Sequence, residues 1–467
     1  MNSTCGRIRK EVAAWPAVTS GQAVVLPEAA ATSCREKEAV KKMKLILVSI
    51  DAMTGEELSE LLTMPNASRL AGGARVQRVR SVYPTLTYPC HAAMLTGCFP
   101  ERTGIANNLV FAPGVRPAPW HWERDHNREP DDLLFAAKRA GLSTASVFWP
   151  GTGRHPGCDW LIPEYWPQGA EDSAESAMAR MGSSPEVLKI LREYPCQDLS
   201  SHPQADAAAV TWACEILRRF CPDVLLLHPA NLDEVKHLYG ARGPHIRQAL
   251  RETDTWLGWI FDVVSANGDE AVTNFVLTSD HGQLDVSRIF SPNVLLKEMG
   301  LIRARESATA GASSFLDWDA FCLPAGMCFE VRLKNPEETA ARERMRALLA
   351  GWKQYGVTRI YEVEEAEIEE HLSGAFSFFC EMDGKTAVSG SISGEALRPR
   401  RGGDAMATHG YHPDQGPQPC FFCKGPAFRN GAEIAESSLT DEAPTVAAAL
   451  GISLPDAQGR VLTELLR

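Results

Sequence analysis

Acid and imidazole side chains gather at the ends of three apolar runs in this chain. Asp51 closes the run K-L-I-L-V-S-I-D at 44–51, and Asp280 and His281 close N-F-V-L-T-S at 274–279. Asp233 and His237 follow D-V-L-L-L-H at 223–228, and His409 comes much later, in T-H-G-Y at 408–411. Four residues apart on a helix, Asp233 and His237 share one face and can share an ion. Mixed carboxylate and imidazole ligands suit zinc better than magnesium or calcium, which prefer all-oxygen sites. The stretch 81–108 supplies a hydroxyl to accompany such an ion, centred on Thr87. The run 90–96 is helix-like and stops at Gly97. Pro89 suits a first helical position, so Thr87 is expected at or just before a helix N-terminus. Unsatisfied N–H groups and the positive dipole end favour an anion there, and a hydroxyl so held is placed to meet a phosphate. A lone Thr would serve equally well as an ordinary helix cap, and each Asp as a cap or turn residue. Their joint arrival at the ends of buried runs is what points to chemistry.

The elements that must position these residues follow from periodicity. Near-continuous apolar runs at 44–51, 223–228 and 274–279 read as strands buried on both faces of a parallel sheet. Further strands are expected at 74–82 and 143–149. Helical patterns extend to Leu70 and cover 131–140, closed by Gly141, then 205–220 and 246–266. This alternation predicts an α/β fold, a doubly wound and mostly parallel sheet flanked by helices, which binds ligands beyond the C-terminal ends of its strands. The aromatic, loop-rich stretch 151–185 is a candidate pocket rim. Between about 300 and 400 the pattern changes to strand 327–333, helix 336–350, strand 357–363 and a short acidic helix, a small α+β insertion. Its one histidine, His371, follows a run of Glu and is not expected to hold a metal ion. Residues 1–42 carry no motif. They are expected to be a flexible N-terminal extension dispensable for catalysis, or Met43 is the true start, ahead of one catalytic domain over 43–467.

With 467 residues, 44% of them hydrophobic, a sizeable core is available. A formal net charge of −12 argues against a nucleic acid polymer as partner. Small anionic substrates stay compatible, because bound metal ions supply local positive charge. No apolar run approaches the roughly 20 residues of a membrane span, and no signal-peptide pattern is recognised. The 13 cysteines lack framework spacing, which reads as free thiols in a reducing compartment, so a cytoplasmic location is expected. Cys420-Phe-Phe-Cys423 is a lone CxxC inside a strand-like run, with no metal or redox role expected.

These residues reach a resemblance. The pieces are V-S-I-D at 48–51, P-T-L-T-Y-P-C-H at 84–91, T-G at 96–97, G-I-A-N-N at 104–108 and F-W-P-G-T at 148–152. D-E-V-K-H at 233–237, T-S-D-H-G at 278–282, T-H-G-Y at 408–411 and A-P-T-V-A-A-A-L-G-I at 443–452 complete the set. In this order they resemble the nucleotide pyrophosphatase/phosphodiesterase (type I phosphodiesterase) family of the alkaline phosphatase superfamily, over nearly everything from Met43 to the C-terminus. The resemblance implies an alkaline phosphatase-like fold and two zinc ions per chain. Asp51, Asp280 and His281 match the ligands of one ion, which also activates Thr87; Asp233, His237 and His409 match those of the other. Asn108 matches an asparagine that donates a hydrogen bond to a phosphoryl oxygen. The implied chemistry is in-line attack of Thr87 on phosphorus, a phosphothreonine intermediate, and its hydrolysis by water. The implied substrates are small nucleotide-like molecules with phosphodiester or pyrophosphate bonds, with phosphonoacetate hydrolysis or phosphomonoesterase activity as the alternative. Tyr88 stands where the family usually has Phe and keeps a ring able to stack on a nucleobase. Cys90 stands where the family often has Asn and reads as a packing thiol. A sulfatase would need a convertible Cys or Ser followed by x-Pro-x-Arg, and Thr87-Tyr-Pro-Cys-His offers neither.

Overall fold

The computed structural model describes residues 42–115, 117–129, 131–169, 171–306 and 313–467. The expectation for 1–42 falls almost wholly outside them. At the centre is a mixed eight-stranded sheet. Its order across the sheet is Glu433–Ser438, Ala74–Arg80, Phe421–Lys424, Thr273–Thr278, Lys44–Ser49, Val224–Leu227, Thr144–Val147, Trp160–Ile162. Lys44–Ser49 pairs in parallel with both Val224–Leu227 and Thr273–Thr278. Only Phe421–Lys424 runs antiparallel to its two neighbours. The expected doubly wound, mostly parallel architecture is therefore present, with one reversed strand that apolar patterning does not reveal.

Period-two alternation within each strand sends side chains to opposite faces. Ile46, Val48, Leu225, Leu227 and Leu277 join one buried cluster with Leu217, Leu250 and Leu257 of the helices Gln204–Phe220 and Pro244–Ala266. Leu45, Leu47, Val224, Leu226 and Val276 join another with Met94, Leu134 and Val446 of Thr87–Thr96, Leu133–Arg139 and Glu442–Ala449. Both faces are covered, which is why these strands read as unbroken apolar runs. The edge strand Glu433–Ser438 is short and largely solvent-facing, and its two glutamates, Glu433 and Glu436, pair with Arg75 and Arg78; charge of this kind blunts an open edge.

Two expectations shift in detail. The helix after Thr87 begins at Thr87 itself, so Pro89 is its third residue rather than its first. A proline within the first turn costs no intrahelical hydrogen bond. Asp233 is not a strand end; it lies in the first turn of the helix Asn231–Tyr239. Within 151–185 the strand Trp160–Ile162 and the helix Ala174–Arg180 also form, elements too short for a clear periodic signal.

Ala320–Pro324, Cys328–Leu333, Phe378–Met382 and Val357–Glu362 build a separate four-stranded antiparallel sheet, accompanied by the helices Thr339–Ala350 and Val363–Glu370. His371, at the end of the second helix, pairs with Glu101 at 3.2 Å and stacks on Phe99.

Candidate active site

Asp51 and Asp280 each lie two residues beyond the last residue of adjacent parallel strands. Thr87 opens a ten-residue helix whose side chains are all buried, and its hydroxyl is 3.3 Å from His281 Nε2. The same nitrogen is 3.3 Å from Asp280 Oδ2 and 3.6 Å from Asp51 Oδ1. Asp51, Asp280 and His281 thus offer ligand atoms within 4.8 Å of one another, as do Asp233, His281 and His409. His237 joins the second group through Asp233, whose Oδ2 is 3.1 Å from His237 Nε2. The rings of His237 and His409 lie 5.3 Å apart, and those of His281 and His409 stack at 3.9 Å. His281 therefore stands between the two groups, and all six side chains meet beside Thr87.

Their hydrogen bonds set which nitrogen faces inward. A carbonyl only accepts, so His409 Nδ1–H donates to Thr85 O at 3.1 Å and His237 Nδ1–H to Ala407 O at 2.8 Å. Neutral His409 is thereby left with an unprotonated Nε2 able to bind a cation. His237, raised to about 9 by Asp233 against the effect of burial, instead turns its Nε2–H to Asp233 Oδ2 and must give up that proton to take a metal ion. Asn108 Oδ1 accepts the Tyr88 N–H at 2.9 Å. Its amide Nδ2 is thereby left to donate, and it sits next to the nucleophile position.

The electrostatics are those of an anion cluster that needs a cation. Burial, then Asp280 and Asp233, pushes Asp51 well above the usual carboxylate range. Burial, reinforced by Asp233, raises Asp280 to about 7. Burial pushes Asp233 up as well, but His237, His409 and His281 outweigh it and hold the carboxyl low. Burial lowers His409 to about 4. Asp51 Oδ1, Asp280 Oδ2 and His281 Nδ1 are buried without a hydrogen-bond partner, a cost a protein normally avoids. Orphaned carboxylate oxygens beside inward-facing imidazole nitrogens fit divalent metal ions with mixed oxygen and nitrogen ligands.

Around this centre lie residues the motifs did not assign. His228 Nε2 is 3.2 Å from Asp51 Oδ2. His91 Nδ1–H donates to Thr87 O at 2.8 Å and lies 3.5 Å from Asp280 Oδ2, while its Nε2 accepts from the Ser49 hydroxyl at 2.9 Å. Gln283 Nε2 donates to the carboxylate of Asp233. Such partners orient metal ligands. His91 had a signal, four residues after Thr87 on one helix face, and so did His228, a polar residue ending a buried strand. Tyr88 is only 2% exposed, so its ring is packed against Ala92 and Ile105 rather than open to a nucleobase; it meets Trp120 edge-on at 5.5 Å, and Trp120 meets Trp166 at 5.6 Å. Glu164, raised to about 8 by burial, neighbours Tyr88. Cys90 is fully buried with Sγ 3.2 Å from Ser81 Oγ, a packing position. Thr85 turns away from Thr87 and donates to Tyr411 O.

His409 is held by close backbone contact. Gly410 has φ +84, and a Cβ there would lie 2.0 Å from Ala325 O; at Gly326 it would lie 2.1 Å from His409 O. Met327 N–H donates to His409 O at 2.9 Å. Gly410→Ala is therefore expected to destabilise the protein by about 2–4 kcal/mol, from left-handed strain plus overpacking. Denaturant unfolding of the full chain measures this, and an unchanged midpoint would show that the contact yields freely.

Comparison with known proteins agrees with this picture. The model of the family described as type I phosphodiesterase / nucleotide pyrophosphatase matches residues 45–411. Venom phosphodiesterase 2 of Crotalus adamanteus is 25% identical over 257 residues, covering 52% of this chain and 27% of the venom protein. Ectonucleotide pyrophosphatase/phosphodiesterase family member 1 of Mus musculus is 22% identical over 396 residues, covering 83% of this chain and 38% of the mouse protein. The chain thus spans well under two thirds of the length of these curated relatives. Among solved structures, murine ectonucleotide pyrophosphatase/phosphodiesterase 5 superposes with a TM-score of 0.62 at 20% identity, over 91% of this chain and 100% of that one. An inactive threonine-to-alanine variant of the same murine protein, in complex with AMP, gives 0.63. The family match over residues 45–411 places this chain in the type I phosphodiesterase / nucleotide pyrophosphatase family.

Proposed function

We propose that this chain is a zinc-dependent hydrolase of phosphodiester or pyrophosphate bonds in small nucleotide-like molecules, acting through a phosphothreonine. The observation that carries the reading is the Thr87 hydroxyl at a helix start, 3.3 Å from His281, beside carboxylate and imidazole side chains of which Asp51, Asp280, His281 and His409 are buried and Asp233 and His237 half-buried. Two ligand groups support two ions per chain, with Asp51, Asp280 and His281 about one and Asp233, His237 and His409 about the other; mixed donors favour zinc. When bound, the ions supply positive charge that lowers the pKa of the nucleophile and stabilises the leaving oxygen.

The chain's own groups do the rest. Thr87 Oγ attacks phosphorus as the leaving oxygen departs on the opposite side, forming a phosphothreonine diester or monoester that water then cleaves to restore the hydroxyl. Asn108 Nδ2 donates to a phosphoryl oxygen, its orientation fixed by the Tyr88 N–H on Oδ1. His91, by holding Thr87 O, keeps the first turn of the nucleophile helix in place. Trp120 and Trp166, both partly exposed and backed by the buried Tyr88, offer ring surface suited to a planar group such as a base. AMP bound to the murine relative supports a nucleotide as substrate. Buried free thiols such as Cys90, Cys98, Cys214 and Cys322 support a reducing, cytoplasmic setting.

The test is metal analysis after zinc reconstitution, followed by initial rates on p-nitrophenyl thymidine 5′-monophosphate, p-nitrophenyl phosphate and phosphonoacetate. Two ions per chain and fastest turnover of the diester are expected. Fewer than two ions would remove the two-metal reading, and preferred turnover of phosphonoacetate or the monoester would replace the substrate class.

A further inference from the structure

Lys236 lies between Asp233 and His237 in sequence and is almost fully buried. A buried lysine is rare unless its charge is paired. Its Nζ donates to Ala52 O at 2.7 Å and pairs with Glu57 Oε1 at 2.7 Å. Glu57 is itself tied down, because its Oε2 accepts from both Thr54 N at 2.8 Å and Thr54 Oγ1 at 3.0 Å.

The turn that Lys236 grips is strained and directly follows Asp51. Ala52 has φ 60 without being glycine, a left-handed conformation that persists only where surroundings hold it. The same residue's N–H donates to Asp280 Oδ1 at 3.1 Å. The Ala52 peptide therefore links three things: Asp51 on its N-terminal side, Asp280 through its N–H, and the helix Asn231–Tyr239 through its carbonyl and Lys236.

We propose that Lys236 is a positioning residue that ties the two groups of candidate metal ligands to one another. Its ammonium anchors the Asp51–Ala52 turn to the helix bearing Asp233 and His237, and so sets the spacing between the groups. The inference rests on the two-metal reading above. A salt bridge that merely stabilised the fold would leave metal affinity unchanged; one that spaces the ligand groups must alter both ions together.

The experiment titrates the metal-stripped full chain with Zn²⁺ alone by calorimetry, and with Co²⁺ to read ligand geometry from its visible spectrum. Lys236→Met removes the donors at similar length and is expected to weaken both ions by roughly 10–100-fold, the range for loss of an outer partner of metal ligands. The double variant Lys236→Met/Glu57→Gln, which leaves no unpaired charge and so keeps a foldable protein in hand, should stay weakened. Glu57→Gln alone leaves the Lys236 bond to Ala52 O and should bind metal nearly as the parent does. Parental affinity in Lys236→Met, recovery of it in the double variant, or weakening of one ion only would overturn the inference while leaving the two-metal reading intact. A parent chain that binds no divalent ion would overturn both.

Discussion

Replacing Thr87 with alanine is expected to lower diester turnover by on the order of 10⁴–10⁶ while leaving the metal content unchanged, the scale seen when a covalent nucleophile is removed. The six acid and imidazole side chains that gather beside Thr87 come from other segments, so the ions do not depend on this hydroxyl alone. The hydroxyl occupies the first position of the helix, is only 7% exposed, and faces His281. Thr87→Ser keeps the attacking oxygen and should retain a measurable part of the activity. Asn108→Ala removes one donor to developing phosphoryl charge and should cost less, on the order of 10²–10³. Rapid-quench experiments with labelled substrate would trap a phosphorylated parent chain and an unlabelled alanine variant. Near-parental turnover by Thr87→Ala would eliminate covalent attack, leave water to attack phosphorus directly, and reduce Thr87 to a helix-start residue.

Much of this arrangement is legible in the sequence because the physics there is local. Lys44–Ser49, Val224–Leu227 and Thr273–Thr278 are covered on both faces, so each announces itself as an apolar run, and the polar residue that ends such a run falls where open α/β sheets bind ligands. The i, i+4 spacing of Asp233 and His237 is likewise a local fact, and the two side chains meet at 3.1 Å. What stayed hidden is non-local. The reversed direction of Phe421–Lys424 depends on neighbours far away in sequence. Glu164 gains its unusual environment only because a loop folds back against Tyr88. The start of the nucleophile helix at Thr87 rather than nearer Pro89 follows from Asn108, twenty residues on, taking up the Tyr88 N–H. Nothing local marks Lys236, whose partners Ala52 and Glu57 lie about 180 residues earlier in the chain.

Asp280→Asn is expected to have opposite effects on stability with and without metal. The Asp280 carboxyl is raised from an ordinary value of 3.8 to about 7, by burial first and then by Asp233. A group with a raised folded pKa binds more protons in the native state, so the stability it contributes is present below its unfolded pKa and is lost as pH rises towards about 7. Asparagine keeps the size and cannot ionise. In metal-stripped protein the parent should therefore lose stability relative to Asp280→Asn as pH rises from about 4 to 7, and above that range the variant should be the more stable of the two. Adding Zn²⁺ should reverse the order. The ion requires the ionised carboxylate that Asp280 provides and Asn does not, so the parent gains binding free energy at neutral pH that the variant largely forgoes. The affinity loss should exceed the roughly 10–100-fold that an outer partner costs, and turnover should fall with it, because Asp280 meets both His281 and, through Ala52 N–H, the Asp51 turn. Thermal unfolding across this pH range, with chelator and then with zinc, measures both halves. Equal curves for parent and variant with chelator would mean that Asp280 is not a buried, like-charge-crowded acid, and equal stabilisation by zinc would remove it from the metal centre.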